Sequence, residues 1–418
     1  MKALLISMGT RGDIEPFLAV AEVLSQKDWE IVCLFPEQFR GDVEELGYNF
    51  YGFSADFLKL IDGADAKRIL GGERSLMRRV KSWFTLARKG MKLARESVRL
   101  QHRVQLNENP DRVIYHPKCF TAIVWGMANP GKSIMLCPIP GLAHPVDHFS
   151  VMWGNHGRAL NRLVFWLMNT IKSVTVKRYT AEFMGDFPGL RVSASSIKQA
   201  IEHTEKTLYT VFPSLFPKPS YWPDTAHVVG YFERDKTSHW VPSADLKQFI
   251  DAHEKIVFIS FGSMTSSAPA AKTATILNAL KKHGIPAIIG ISGGGLERSA
   301  DVPEHVIFVD SAPYDWLFPQ VYSVVHHGGS GTTHTAIKYG CPSFVIWHAL
   351  DQPFWSRTVS DHKLGPVGLP LRKLDDGHLE EKLLDLYTNE EYTINAVRFS
   401  ELIAQESDRD SLYRLIIS

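Results

Sequence analysis

Short apolar runs that end in a glycine-bearing loop and give way to helical spacing recur along this chain, and the series starts twice. Ala3 to Met8 is apolar and closes in Gly9-Thr10-Arg11-Gly12-Asp13, after which Pro16 to Leu24 carries apolar residues at helical intervals. Trp29 to Phe35, Asn49 to Phe53, Arg112 to Tyr115 and Ser133 to Leu136 read as further strands. Strands alternating with helices predict a parallel, doubly wound α/β sheet, because parallel neighbours need a crossover that a helix supplies. From Lys255 the order begins afresh: strand Lys255 to Phe261, helix Pro269 to Lys282, strand Ala287 to Ile291, then Ser323 to His326, Ser343 to Trp347 and Val367 to Leu369. A chain of 418 residues is long enough for two domains of about 200 residues each. Pro213 to Pro223 holds four prolines and cannot be regular structure, and the polar stretch Glu233 to Ser238 marks the boundary. The expected division is 1–235, 236–385 and a C-terminal helical segment 386–418. Two such halves would enclose a cleft, with ligands at the carboxyl ends of the strands.

The 46 basic residues nearly balance 45 acidic ones, which argues against a nucleic-acid protein on global charge. Four cysteines (Cys33, Cys119, Cys137, Cys341) lie far apart among apolar neighbours with no C-x-x-C spacing, so neither a disulfide framework nor a zinc site is expected. No run nears the roughly 20 apolar residues that span a bilayer. The apolar stretch at residues 1–9 is too short for a signal peptide, and a cytoplasmic protein is expected.

The stretch His326-His327-Gly328-Gly329-Ser330-Gly331-Thr332 lies between a strand and a helix expected over Thr333 to Tyr339, which Gly340 and Pro342 terminate. Glycines let the backbone approach a ligand, free N–H groups point outward, and a helix N-terminus favours negative charge. Ser330 and Thr332 add hydroxyl donors and His327 an imidazole. A plain glycine turn with Thr332 or Thr333 as N-cap is the simpler alternative; the histidine and hydroxyls favour the anion site. His334, just beyond the loop, is expected on the helix surface. Asp351-Gln352-Pro353 follows the strand Phe344 to Trp347, and a carboxylate beside an amide suits neighbouring sugar hydroxyls. An ordinary helix start, with Asp351 as cap, explains the same residues.

Pro313-Tyr314-Asp315-Trp316-Leu317-Phe318, the glycine loop, and Asp351-Gln352-Pro353-Phe354-Trp355 together resemble the donor-site block of inverting glycosyltransferases. The resemblance is to sterol glucosyltransferases and glycopeptide-antibiotic glycosyltransferases of the UDP-glycosyltransferase superfamily. It extends to Gly9 to Pro16, Phe261-Gly262-Ser263-Met264 and Pro217-Lys218-Pro219 with Trp222-Pro223. It implies the GT-B fold, two Rossmann-like domains facing a central cleft, with the last helices packing back across the N-terminal domain. It implies a nucleotide-sugar co-substrate, a UDP- or dTDP-hexose with glucose the default. Ser263, His327, Gly329, Ser330, Gly331 and Thr332 would hold its diphosphate, Ser311 and Ala312 would meet the base, and Asp351 and Gln352 would grip the sugar. Three positions depart from the family pattern: Leu350 replaces a usual glycine, Tyr314 a common histidine, and Ser311 an aromatic or apolar residue.

An inverting transfer needs a base beside the acceptor oxygen, and the family has a histidine or aspartate after the first strand; here it is Asp13. An aspartate with the ordinary carboxyl pKa of about 3.9 is a weak base, so partial desolvation would help. Asp13 as the N-cap of a helix starting near Ile14 is compatible with that role. No metal is needed in this reading, since His327, the loop amides and the helix dipole can stabilise the departing diphosphate.

The acceptor falls to the first half. Residues 67–103 hold twelve Lys or Arg against two Glu, interleaved with apolar residues, and read as a basic amphipathic helix or helix pair. A solvated helix packed on the sheet and a helix docked peripherally on an anionic membrane share that pattern. Arg158 to Arg178, with Phe165 and Trp166, resembles the acceptor-side helix of the family, and His144 and His148 are further candidates for the cleft wall. Large aromatic and Met side chains suit a broad apolar acceptor such as a sterol, lipid, terpenoid or natural-product aglycone. A sugar-nucleotide epimerase or hydrolase on the same fold, or a non-catalytic nucleotide-sugar binder, are the rival readings.

Overall fold

The computed structural model describes all residues except 55–75, 120, 152–153, 237–239, 263–267 and 375–376, together with the side chains of 76–89 and 91. Strands β1 (Lys2–Ile6), β2 (Glu30–Pro36), β3 (Asn49–Phe53), β4 (Arg112–Tyr115), β5 (Ser133–Cys137), β6 (Lys206–Tyr209) and β7 (Ala226–Val228) form a parallel sheet in the order β3-β2-β1-β4-β5-β6-β7. A second parallel sheet, β10-β9-β8-β11-β12-β13, is built from β8 (Val257–Ser260), β9 (Ala287–Gly290), β10 (Val306–Val309), β11 (Ser323–His326), β12 (Ser343–Trp347) and β13 (Leu369–Pro370). Ala3, Leu4, Leu5 and Ile6 of β1 are wholly buried, two facing each layer of the core, which is why the run lacks polar alternation. The order turns back at β1 and β4 in one sheet and at β8 and β11 in the other, and those switch points put the loops after β1 and β11 in the cleft.

The helices that position the site are α1 (Arg11–Ser25), α2 (Leu76–Glu108), α3 (Arg158–Thr180), α4 (Pro269–His283), α5 (Ser330–Lys338), α6 (Gln352–Asp361), α7 (Glu390–Ile403) and α8 (Arg409–Ile417). Three strands were not legible from spacing: β6 and β7 are only four and three residues long, and β10 lies among charged neighbours. The basic segment is one helix of 33 residues over its described part, while its beginning, 67–75, lies outside the described residues. All four cysteines are free and buried. Among the described residues no helix is long and apolar enough to cross a membrane.

The chain passes between the two sheets twice. After the second sheet, α7 packs Ala396 and Ile403 with Phe212 and Leu215, and α8 inserts Leu412 and Ile416 into the core beneath α1. Arg112 Nε donates to the Ile416 carbonyl at 3.0 Å and Lys206 Nζ to the Leu415 carbonyl at 2.9 Å, so cations of the first sheet satisfy the open end of α8. The two crossings touch. Gly230, in a left-handed conformation (φ +95°), lies where a Cβ would collide with the Glu406 carbonyl. Ser407 Oγ donates to the Tyr231 carbonyl at 2.7 Å and Arg409 Nη2 to the Glu233 carbonyl at 2.9 Å. Ile416→Ala is expected to cost about 2–4 kcal/mol of stability, read as a lower denaturation midpoint, because a wholly buried side chain leaves a cavity.

Candidate active site

α5 begins at Ser330 with Gly329 as an extended N-cap, three residues earlier than the spacing suggests. Ser330, Gly331 and Thr332 therefore form its first turn, and their amides are open donors at a helix N-terminus. Gly328 is not among them, since its amide donates to His326 Nδ1 at 3.0 Å. His326 is fully buried and structural. His327 lies in a slot made by two glycines from neighbouring loops: a Cβ at 329 would sit 2.5 Å from its Nε2, and one at 262 would sit 2.8 Å from its Cε1. Burial holds the His327 pKa down at about 4, so the ring is neutral at pH 7. Among the described residues its Nδ1 is buried without a partner, and a ligand oxygen accepting there would relieve that deficit.

Around this loop the hydroxyls are already engaged. Ser330 Oγ donates to the Pro138 carbonyl at 2.9 Å, joining the cradle to the opposite half of the molecule. The buried Tyr314 phenol has the hydroxyls of Ser260 and Thr332 as hydrogen-bonding neighbours. His334 is not on the surface: it is fully buried against Phe212, Tyr231 and Trp355, with Nδ1 bonded to the Ser330 carbonyl at 2.7 Å. Phe212 and Tyr231, from the segment that joins the halves, cover the face of α5 that carries it.

Asp351 and Gln352 stand at the carboxyl edge of β12. Asp351 Oδ2 accepts from Trp355 Nε1 at 2.8 Å and makes no side-chain cap. Gln352 Oε1 accepts the amides of His348 at 2.7 Å and Ala349 at 3.2 Å, tying the loop to the helix start. Burial raises the Asp351 carboxyl to about 6, and the charge of Asp13 pushes the same way. Leu350 adopts φ +61°, the left-handed conformation that favours glycine.

From the other half, Asp13 occupies the third position of α1 rather than its cap. Its Oδ2 accepts the Thr10 amide at 2.8 Å, and its Oδ1 meets Lys118 Nζ at 2.6 Å with His116 Nε2 at 3.3 Å. Although Asp13 is buried, the Lys118 and His116 neighbours hold its carboxyl below the usual range. His116 Nδ1 accepts the Lys118 amide at 3.0 Å, which leaves the ring proton on the nitrogen facing Asp13. Below α6, His148, Phe149, Leu215, Phe216, Pro353 and Phe354 line a cavity of about 550 Å³ between the halves.

Residues 3–104 match the glycosyltransferase family 28 N-terminal domain, and residues 274–410 match the erythromycin biosynthesis protein CIII-like C-terminal domain. A sterol 3-beta-glucosyltransferase of Arabidopsis thaliana is 29% identical over 92% of this chain and 62% of its own length. The O-mycaminosyltylonolide 6-deoxyallosyltransferase of Streptomyces fradiae is 27% identical over 97% of this chain and 94% of its own. The solved spinosyn rhamnosyltransferase complexed with thymidine diphosphate superposes with a TM-score of 0.69 at 14% identity, covering all of both chains. The calicheamicin glycosyltransferase superposes at 0.68 and 16%, over 99% of this chain and 98% of that one. The chain has the GT-B fold, and both of its halves are similar to glycosyltransferases. It spans about three fifths of the length of the plant sterol enzymes it matches.

In this GT-B chain the expected residues fall in three places. His327, Gly329, Ser330, Gly331, Thr332, Asp351 and Gln352 gather at the ends of β11 and β12, and the charge of Asp13, from the other half, is felt at Asp351. Ser311, exposed, and Ala312, half-buried, follow β10 further out on the same edge. Ser263 lies outside the described residues. The acceptor candidates scatter. His148 lines the cavity, whereas His144 is buried with Nδ1 on the Tyr209 hydroxyl at 2.9 Å and its ring against Trp222. Phe165 is half-buried and Trp166 exposed on α3, and neither lines the cavity. Lys118 and His116 were not anticipated; His116-Pro117-Lys118 directly follows β4, and the rule that selects the glycine loops selects that edge too.

Proposed function

We propose that the protein transfers a hexose from a UDP- or dTDP-sugar to the hydroxyl of an apolar acceptor, with inversion at the anomeric carbon. The observation that carries this reading is that two buried carboxyl groups from opposite halves, Asp13 and Asp351, lie near enough for the charge of one to raise the other, beside an anion cradle. The relatives support it in kind: one is named for a sterol, another for a tylonolide, and a fold neighbour holds thymidine diphosphate.

The acceptor hydroxyl displaces the Lys118 ammonium from Asp13 Oδ1, which removes the ion pair that keeps the carboxylate a weak base. Its proton passes to Asp13 as its oxygen bonds to the anomeric carbon and the bond from that carbon to the diphosphate oxygen breaks. His116 Nε2 lies 3.3 Å from the same carboxylate oxygen. The departing charge is met by His327 and the first-turn amides of α5, donors fixed in place before the reaction. These groups supply the stabilisation without a metal or a bound cofactor. Asp351 accepts from sugar hydroxyls, and the cavity beside Phe149, Phe216 and Phe354 takes the apolar body of a sterol, lipid or aglycone.

Asp351 sets a pH dependence. Sugar hydroxyls donate to its ionised form, so donor affinity is expected to rise about tenfold between pH 5 and 7, through the carboxyl's value of about 6, and to lose that dependence in Asp351→Asn. In the ligand-free protein the sign is opposite. A raised carboxyl favours the fold while protonated, below about 3.9, and that contribution fades as pH rises through about 6. Calorimetric titration with UDP-glucose and dTDP-glucose reads the first effect. Nucleoside diphosphate release, measured with and without sterol and macrolide acceptors and paired with a hexose mass shift on the acceptor, tests the function itself. Release at one rate in both conditions, with no shifted product, would make the protein a hydrolase.

A further inference from the structure

Helix α3 is amphipathic the wrong way round for a soluble protein. Its inward face holds Asn161, Asn169, Ser173, Val176 and Thr180, all buried. Asn161 Nδ2 donates to the Asp147 carbonyl at 2.9 Å and Asn169 Nδ2 to Glu202 Oε1 at 2.6 Å, so polar side chains hydrogen-bond α3 to the body of the protein. Its outward face holds Leu160, Leu163, Leu167, Ile171 and Val174, each 45–59% exposed. At 3.6 residues per turn these five fall within an arc of about 80°. Trp166 and Met168 flank the stripe, 51% and 42% exposed. Isolated apolar residues on a surface are ordinary, but a contiguous stripe over four turns marks an interaction site.

Charge indicates what covers it. Every charged side chain on α3 is cationic (Arg158, Arg162, Lys172, Lys177 and Arg178), with Lys177 and Arg178 exposed in its last turn. Lys172 is half-buried, with Nζ on the Leu142 carbonyl, and takes no part. Helix α2 packs against α3 and carries nine Lys or Arg against two Glu along its length, with Lys92, Arg95, Arg99 and Arg103 exposed. Some of this charge is matched locally: Arg158 and Arg162 pair with Asp147, and Arg99 pairs with Glu182. An isologous contact between two copies would set these cationic helices against each other. We propose that the outward face of α3 docks on an anionic lipid bilayer, its leucines and Trp166 entering the headgroup boundary while Lys177, Arg178 and the cations of α2 meet lipid phosphates. The loop from Pro138, at the anion cradle, through Phe149, at the cavity, runs on to the start of α3. A docked α3 therefore places the cavity mouth near the lipid. This docking goes beyond the transfer reading and does not depend on it.

The test is flotation of the full chain with phosphatidylcholine vesicles, with and without about one third phosphatidylserine, at low and high salt. Binding is expected to the anionic vesicles and to fall with salt. Leu163→Glu with Leu167→Glu, both at exposed positions, is expected to weaken it about tenfold or more at an unchanged melting temperature. Lys177→Glu with Arg178→Glu is expected to weaken it about fivefold per cation on anionic vesicles only. No flotation on either vesicle overturns the proposal. So does flotation that survives the leucine substitutions, or a concentration-dependent dimer that those substitutions dissolve. Hexose transfer to a soluble acceptor, assayed on the same leucine variant, keeps the two readings apart: full transfer with lost flotation isolates docking from catalysis.

Discussion

The Asp13→Asn protein is expected to fold, to bind nucleotide sugar as the wild type does, and to lose transfer by about two to four orders of magnitude. The environment of Asp13 makes this a clean substitution. An asparagine oxygen still accepts the Thr10 amide, which holds the first turn of α1. Lys118 is half-exposed, so losing its partner does not strand a charge in the interior. The substitution removes the carboxylate's charge and its capacity to take a proton. Initial rates with saturating donor, compared with the melting temperature of the same sample, separate chemistry from stability. Turnover within a few-fold of wild type would remove Asp13 as the base and leave its carboxyl a structural group.

Gly329→Ala is expected to weaken donor binding by about 2 kcal/mol, roughly thirtyfold in Kd, with little change in stability. The backbone at 329 has φ −64° and ψ 141°, which alanine adopts without strain. The obstacle is the imidazole of His327, 2.5 Å from the added carbon, which must leave the slot in which its Nδ1 lacks a partner among the described residues. His327→Ala should produce a loss of the same size, and the double variant no further loss, because both remove one interaction. Calorimetry of UDP and dTDP binding reads all three. Additive losses would mean that the glycine and the histidine serve different contacts.

Both sheets and the placement of the donor loop were legible in the sequence because their signals are local. A buried strand such as Ala3 to Ile6 announces itself by an unbroken apolar run, and a glycine loop by composition. The carboxylate Asp13 was legible too, but its surroundings were not. The partners that set its ionisation, Lys118 and His116, come from a strand about a hundred residues away, and only the β1–β4 pairing brings them together. His334 was misplaced because two of the side chains that bury it, Phe212 and Tyr231, lie in a segment far away in sequence. Leu350 shows the converse case. The family glycine at that position resembles an arbitrary preference until the left-handed φ explains it, and here a leucine bears the strain. On α3, Phe165 and Trp166 looked like an acceptor wall because bulky apolar residues carry no label for inside or outside. Only the buried asparagines opposite them reveal the orientation.

The return of α8 to the first sheet makes the N-terminal unit discontinuous in sequence, closed by residues from both ends of the chain. Recombining donor and acceptor specificities between relatives is usually imagined as one cut near residue 236. Here a single cut would graft a foreign Leu412 and Ile416 equivalent into a core shaped for these two. It would also split the contacts between Gly230 and Glu406 and between Tyr231 and Ser407, where the crossings meet. A chimera that respects this molecule exchanges an internal cassette with two junctions, one in each crossing, and keeps its own last helix.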